Sequence, residues 1–173
     1  KDQLLKESSH YSKENKPKNH LNLDVSYVKE KLEIPSQYFI DRGFSSDILK
    51  KYYVGLCKSP KSPMYNRAVC PIFDEDGKTV IGLTGRSVYD KCEKCSNYHD
   101  KTSGCDYNNS SIKWWNIGSF KSSHLYNYWN AKKHINKTKV ALIVEGQGDV
   151  WKLVESGIHN CVGIFGVSLS DEQ

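Results

Sequence analysis

The sequence predicts an α/β protein: an α+β unit comes first, then the beginning of a parallel open sheet, with a metal-binding loop inserted in the first unit. Three stretches carry that prediction. In RAVCPIFDEDGKTVIGLTGRSV two β-rich runs flank an Asp-Gly turn, the pattern of a hairpin. In ALIVEGQGDVWKLVESGIHNCVGIFG an apolar run, an amphipathic segment and a second apolar run follow one another, which implies a right-handed parallel crossover. KCEKCSNYHDKTSGC places three cysteines and a histidine within fourteen residues. A length of 173 residues suits one large domain or two small ones.

Residues 1–34 read as a linker or flexible arm, because the first two dozen are rich in Lys, Asn, Ser and His with little apolar periodicity. IPSQYFIDRG predicts a short helix with Pro35 in its first turn and Gly43 just past its end. FSSDILKKYYVG predicts a second, capped by Ser45 or Ser46, with Asp47 favouring the positive end of the dipole. The hairpin follows. Pro71 makes its strand an edge, or turns the missing N–H away from the ladder, and Asp74, Glu75 and Asp76 are solvated tip residues. SSHLYNYWNAKKHI predicts a helix capped by Ser122 or Ser123, with Leu125, Tyr128, Trp129 and Lys132 at helical spacing. Val140–Val144 suits a strand buried on both faces. Asp149–Ser156 is an amphipathic helix stopped by Gly157, and Cys161–Phe165 is the second apolar strand. These elements divide into a unit over 35–139, carrying the cysteine loop 92–105, and a second over 140–173.

Composition narrows the function. Hydrophobic residues make up 38% and charged residues 26%, the mean hydropathy is −0.65, and no run approaches the roughly 20 apolar residues of a membrane span. No secretory signal follows Lys1. The expectation is a soluble, cytoplasmic chain cut from something longer. The net charge of +5 is unevenly spread. Residues 107–139 hold six lysines and no acid, interleaved with Tyr107, Trp114, Trp115, Phe120, Tyr126, Tyr128 and Trp129. Lysines attract phosphates through counterion release, and aromatic faces stack on unpaired bases for about 1–3 kcal/mol each. From Val140 onward five acids stand against Lys152 alone.

The cysteine cluster points to a structural metal. A C-x2-C turn lets two thiolates reach one tetrahedral Zn²⁺ at about 2.3 Å, and a nearby His and Cys close the shell. Cys92, Cys95, His99 and Cys105 are the ligands this predicts. Four protein ligands leave no open position for water, so the zinc is structural. Cys57, Cys70 and Cys161 sit in apolar settings as small buried side chains. Glu145 presents a different chemistry. It ends an apolar strand, where loops of an open α/β sheet diverge and ligands gather. Glycines on both sides of Gln147 admit a phosphate or metal close to the backbone, and Asp149 stands at the helix start as a cap or a second acid.

In order, YFIDRGFSSDILKKYYVGL, the hairpin ending in TGR, KWWNIGSFKSSHLYNYW and VEGQGDV resemble the RNA-polymerase core of DnaG-type primases, leading into a Rossmann-like Toprim domain. The likeness covers roughly residues 35–173. It implies that Glu145 coordinates catalytic Mg²⁺ or Mn²⁺ with Asp149 in support, and that Arg86, Lys113, Asn116 and Lys121 bind template and incoming nucleoside triphosphate. Arg67 and Trp114 join that group, Trp114 by stacking on a base while one of the Trp114–Trp115 pair faces the core. Arg42 reads instead as a helix-end charge. Single-stranded DNA template, nucleoside triphosphates and a replicative helicase are the partners implied. The sequence also departs from the pattern. Thr84 replaces a glycine of the hairpin motif, the cysteine loop is foreign to bacterial members and suggests a viral or divergent one, and the D-x-D acids of a Toprim site are missing. The expectation is a primase core with a truncated Toprim domain, inactive alone. A Toprim nuclease or topoisomerase shares Glu145 but leaves the helix pair and KWWN unexplained, and a non-catalytic zinc-containing module would bind single strands with Glu145 idle.

Overall fold

A computed structural model describes residues 20–102, 104–105 and 112–173; Tyr107 and the first nineteen residues of the expected arm lie outside them. Residues 23–33, read from sequence as part of that arm, are folded. They form β1 (Leu23–Asp24), α1 (Val25–Lys31) and β2 (Leu32–Glu33). Asp24 caps α1 by accepting from the Ser26 N–H at 2.8 Å. Val28 is buried with Phe73 and Val80, and Leu23, Val25 and Leu32 pack against them. Those few apolar side chains are scattered among charges and give no run long enough to show a period.

The expected helix pair follows as α2 (Gln37–Ile40) and α3 (Ser46–Lys51). Gly43 takes the positive φ of 84° expected of a helix stop. Ser45 is the cap of α3, its hydroxyl accepting from the Ile48 N–H at 3.3 Å. β3 (Gly55–Cys57), β4 (Arg67–Phe73) and β5 (Thr79–Ser87) then build an antiparallel sheet with β6 (Trp114–Ile117). The path runs β1-β5-β4-β3-β2, with β6 also on β5. β4 is therefore interior rather than an edge strand. Its pairing to β3 stops at Val69, so Pro71 lies beyond that neighbour's end, where a missing N–H is tolerated. Asp76 binds the Lys78 and Thr79 amides across the turn at 2.8 Å each, and Glu75 reaches Lys132 at 2.9 Å. The tip acids thus serve the turn and the surface.

α4 spans Tyr128–Thr138 and does not start at Ser122 or Ser123. The intervening residues have other partners. Tyr126 exchanges backbone hydrogen bonds with Gly163, and Asn127 adopts a left-handed φ of 70°, a conformation Asn tolerates. β7 (Leu142–Val144) and β8 (Cys161–Gly163) are parallel, joined through α5 (Gln147–Glu155). β7 is not buried on both faces: among the described residues it pairs with β8 alone, and Ile143 is 53% exposed.

One core crosses the boundary that sequence places after residue 139. Phe39, Leu49 and Tyr52 of the helix pair, Ala68, Cys70 and Ile81 of the sheet, and Phe120, Tyr126, Trp151 and Cys161 beyond it form a single cluster. Gly82 makes room for it, since a Cβ there would stand 2.2 Å from Phe120. At the centre the buried Tyr126 hydroxyl accepts from Trp151 Nε1 at 2.7 Å and meets Cys70 Sγ at 3.3 Å. Burial drives its pKa well up, so it remains a neutral hydroxyl. No helix among the described residues is long and apolar enough to cross a membrane.

Candidate functional site

Strand register decides which of the expected residues share a face. Arg86 lies opposite Ala68 on β4 and Trp114 on β6, while Thr84 lies opposite Asn116. Residues directly opposite one another, and residues two apart, point to the same side of a sheet. Arg86, Trp114 and Asn116 therefore occupy one face at one end of the sheet. Trp115 points the other way and packs against Cys57, Met64 and Val69, which settles which indole serves the core. Trp114 is 37% exposed.

Arg86 is 9% exposed. Its Nη1 donates to the Ser87 carbonyl at 2.8 Å, and no carboxylate among the described residues lies within ion-pair distance. Its Cζ is 4.8 Å from the Tyr98 ring centre and 5.5 Å from that of Tyr38. Stacked rings leave the edge N–H groups of a guanidinium free to grip an anion. Arg67 lies on the opposite face, donating to the carbonyls of Gly85 at 3.2 Å and Ile112 at 3.0 Å. Burial, and then the nearby Arg86 charge, lower its pKa. Lys113 and Lys121 are exposed, and the Ser87 N–H binds the Lys113 carbonyl at 3.0 Å. Arg42 stays with its own helix, bonding Tyr38 O at 3.3 Å and stacking on the Tyr38 ring.

The acidic turn approaches the same helix pair. Glu145 is exposed at the end of β7, and Gly146 begins α5 in extended conformation. Asp149 accepts from the Gly146 N–H at 3.2 Å through Oδ2, so it acts as a cap whatever else it does. A Cβ at Gly148 would contact Phe44 at 3.5 Å. Trp151, two residues past Asp149, stacks edge-on against Phe39 at 5.1 Å and Phe44 at 5.2 Å. Tyr38, adjacent to Phe39, is one of the two rings beside Arg86. The helix pair, which sequence reading left without a site role, is thus the common support of Arg86 and of the helix that follows Glu145.

Cys92, Cys95, His99 and Cys105 come together with their donor atoms all within 4.8 Å of one another. The Ser96 N–H closes the C-x2-C turn on the Cys92 carbonyl at 2.8 Å, with Ser96 at φ 62°. Cys92 and Cys105 sulfurs are 3.9 Å apart, and Cys95 Sγ is 3.2 Å from His99 Nε2. A zinc tetrahedron would space two sulfurs by about 3.8 Å and a sulfur and nitrogen by about 3.6 Å. The donor set therefore forms a possible Cys3His metal site consistent with zinc. Without an ion the four donors share protons. Amides of Cys95 and Lys94 pull the Cys92 thiol down to about 6, whereas contact with the Cys92 sulfur, and then desolvation, push Cys105 up to about 11. The Asp100 carbonyl and then Cys95 raise His99 to about 9. Three thiolates cannot share so small a space without a cation among them.

No protein-family model matches the chain. It is 30% identical to a DNA primase of Legionella pneumophila, over 90% of this chain and 31% of that protein. It is 29% identical to a DNA primase of Borreliella burgdorferi, over 78% and 23%. The chain spans about a quarter of the length of the curated relatives it matches. Among solved structures it resembles the RNA polymerase domain of Mycobacterium tuberculosis primase DnaG, with a TM-score of 0.61 at 19% identity, over 85% of this chain and 55% of that one. A DnaG primase catalytic domain bound to single-stranded DNA gives 0.55 at 20% identity, over 85% and 54%. The sequence relationship is homology to DNA primases, and the fold is that of the DnaG RNA polymerase domain.

Proposed function

We propose, from that homology, that the chain handles template and nucleotide in a DNA primase, an enzyme that makes short RNA primers on single-stranded DNA by metal-dependent nucleotidyl transfer. The observation that carries this reading is the face shared by Arg86, Trp114 and Asn116, which combines a stacked guanidinium with no carboxylate partner among the described residues, an accessible indole and an amide. Arg86 grips phosphate by its N–H edge, the exposed Lys113 and Lys121 offer further positive charge to a bound strand, and Arg67, on the opposite face, adds charge from beneath. Trp114 stacks on a base, and Asn116 supplies directional hydrogen bonds. Glu145, exposed at a strand end, is the ligand for catalytic Mg²⁺ or Mn²⁺, with the second oxygen of Asp149 in support. Such an ion, when bound, activates the attacking oxygen and neutralises the leaving pyrophosphate. The cysteine loop carries structural zinc, and a replicative helicase is the partner that would bring the enzyme to single strands.

Primer synthesis by the full-length protein on a single-stranded template tests the reading. Glu145→Gln should lower the rate on the order of a hundredfold or more by removing charge stabilisation, with DNA affinity unchanged. Wild-type synthesis by that variant would remove the metal role. Wild-type DNA affinity in Arg86→Ala would remove the phosphate role.

A further inference from the structure

The Cys3His loop meets the sheet at two tyrosines. Tyr89, at its start, donates its N–H to Ser87 Oγ at 3.3 Å and accepts from Asn66 Nδ2 at 2.7 Å. Tyr98, in its middle, bridges Lys91 through the backbone and lays its ring 4.8 Å from the Arg86 guanidinium. Tyr98 directly precedes His99, whose Nε2 faces Cys95 and whose Nδ1 meets the Asp100 carbonyl at 2.8 Å. An ion that fixes the His99 imidazole also fixes the backbone from which the Tyr98 ring projects. Without it, the described part of the loop keeps the Lys91–Tyr98 bridge and the short backbone bonds of Cys92 to Asn97 and of Ser96 to Cys92, but loses the ion that ties its four side chains together.

We propose that the metal-binding loop is a positioning device for Arg86, with Tyr98 as the residue that transmits metal occupancy to the guanidinium. The proposal rests on the reading of Arg86 as a phosphate ligand. Arg86 leaves the sheet beside two rings of different origin. Tyr38 comes from α2, whose place is set by the core, and Tyr98 comes from a segment whose place depends on four ligand atoms. With metal bound, the ring restricts the side chain and directs its outer N–H groups to solvent, where a phosphate arrives. With metal removed, Tyr98 leaves, Arg86 samples more orientations, and its grip weakens. Tyr98 is a positioning residue here and touches no substrate.

The test uses the whole chain loaded with zinc, a single-stranded thymidine oligonucleotide as probe, and the Arg86 Nε–Hε resonance as a reporter that needs no ligand. The ring of Tyr98 should displace that resonance in the zinc-loaded protein, and chelation should abolish the displacement while signals from core residues such as Trp151 stay in place. Chelation should also weaken oligonucleotide binding roughly three- to tenfold, the scale of one lost ring–cation contact. Tyr98→Ala should bind as weakly as the chelated wild type and lose nothing more on chelation, whereas Tyr98→Phe, which keeps the ring, should behave as wild type. An Arg86 resonance indifferent to chelation would overturn the proposal, as would equal losses on chelation in the wild type and in Tyr98→Ala. Wild-type binding by Arg86→Ala, with a resonance still responsive to zinc, would instead overturn the phosphate role beneath it.

Discussion

Glu155 shows how one side chain can complete a structure that its own neighbourhood does not announce. Ser45 caps α3, but its N–H has no acidic partner three residues on, where Ile48 stands. Glu155 of α5, 110 residues away, accepts that N–H at 2.7 Å and also pairs with Lys152 at 2.8 Å. Lys152 in turn bonds the Gly43 carbonyl and covers the Phe44 ring. Partial desolvation works upward on the Glu155 carboxyl, but the bonds from Lys152 and Ser45 outweigh it and hold the group at about 2, below its ordinary 4.5. A carboxyl with a lowered folded-state pKa stabilises the fold above its unfolded value and loses that contribution as pH falls toward the folded one. Glu155→Gln should therefore cost about 1 kcal/mol at pH 7 after solvent screening. Urea titrations should show that difference shrinking below pH 4.5 and vanishing near pH 2. A pH-independent difference would place the effect in packing. The same logic separates what sequence could show of the site. Cys92, Cys95, His99 and Cys105 declare themselves because all four lie in one short segment. The stacking of Tyr38 and Tyr98 on Arg86 joins three distant segments, and no local pattern encodes it.

Elements were legible where their cause is local. The hairpin rests on Asp76 and Gly77 in its own turn, and α3 on Ser45 at its own start, so composition and spacing suffice for both. α4 begins four or five residues later than its serines suggest because Tyr126 is committed to Gly163, a partner nothing near it specifies. β1, α1 and β2 escape detection because each is too short to repeat a pattern. The joint between the sheet and α5 likewise turns on one side chain. Tyr126→Phe removes the oxygen that accepts Trp151 Nε1–H and meets Cys70 Sγ. A buried donor left unsatisfied costs about 1–3 kcal/mol, so the midpoint of urea unfolding should fall by that equivalent with an unchanged slope. A neutral result would mean that Trp151 finds another acceptor.

For the molecule as a whole, the core and the metal loop share no residue, and they should open as separate cooperative units. The core cluster contains none of the four ligands, so chelation should expose residues 91–105 to proteolysis while amide exchange in β4 and β5 stays slow. Loss of protection throughout the sheet would show that the loop supports the core as well. The general class was readable from the sequence because its two halves each contain a self-sufficient pattern. Their fusion around Trp151 and Tyr126 was not, since a shared core is a property of neither half. The bare flank of β7 has a practical outcome. Val140, Leu142 and Ile143 present oily side chains to water, and among the described residues β7 pairs on one side only. Concentrated solutions of this polypeptide should accordingly self-associate through that ribbon, and a lysine in place of Ile143 would be the first remedy for turbidity during purification.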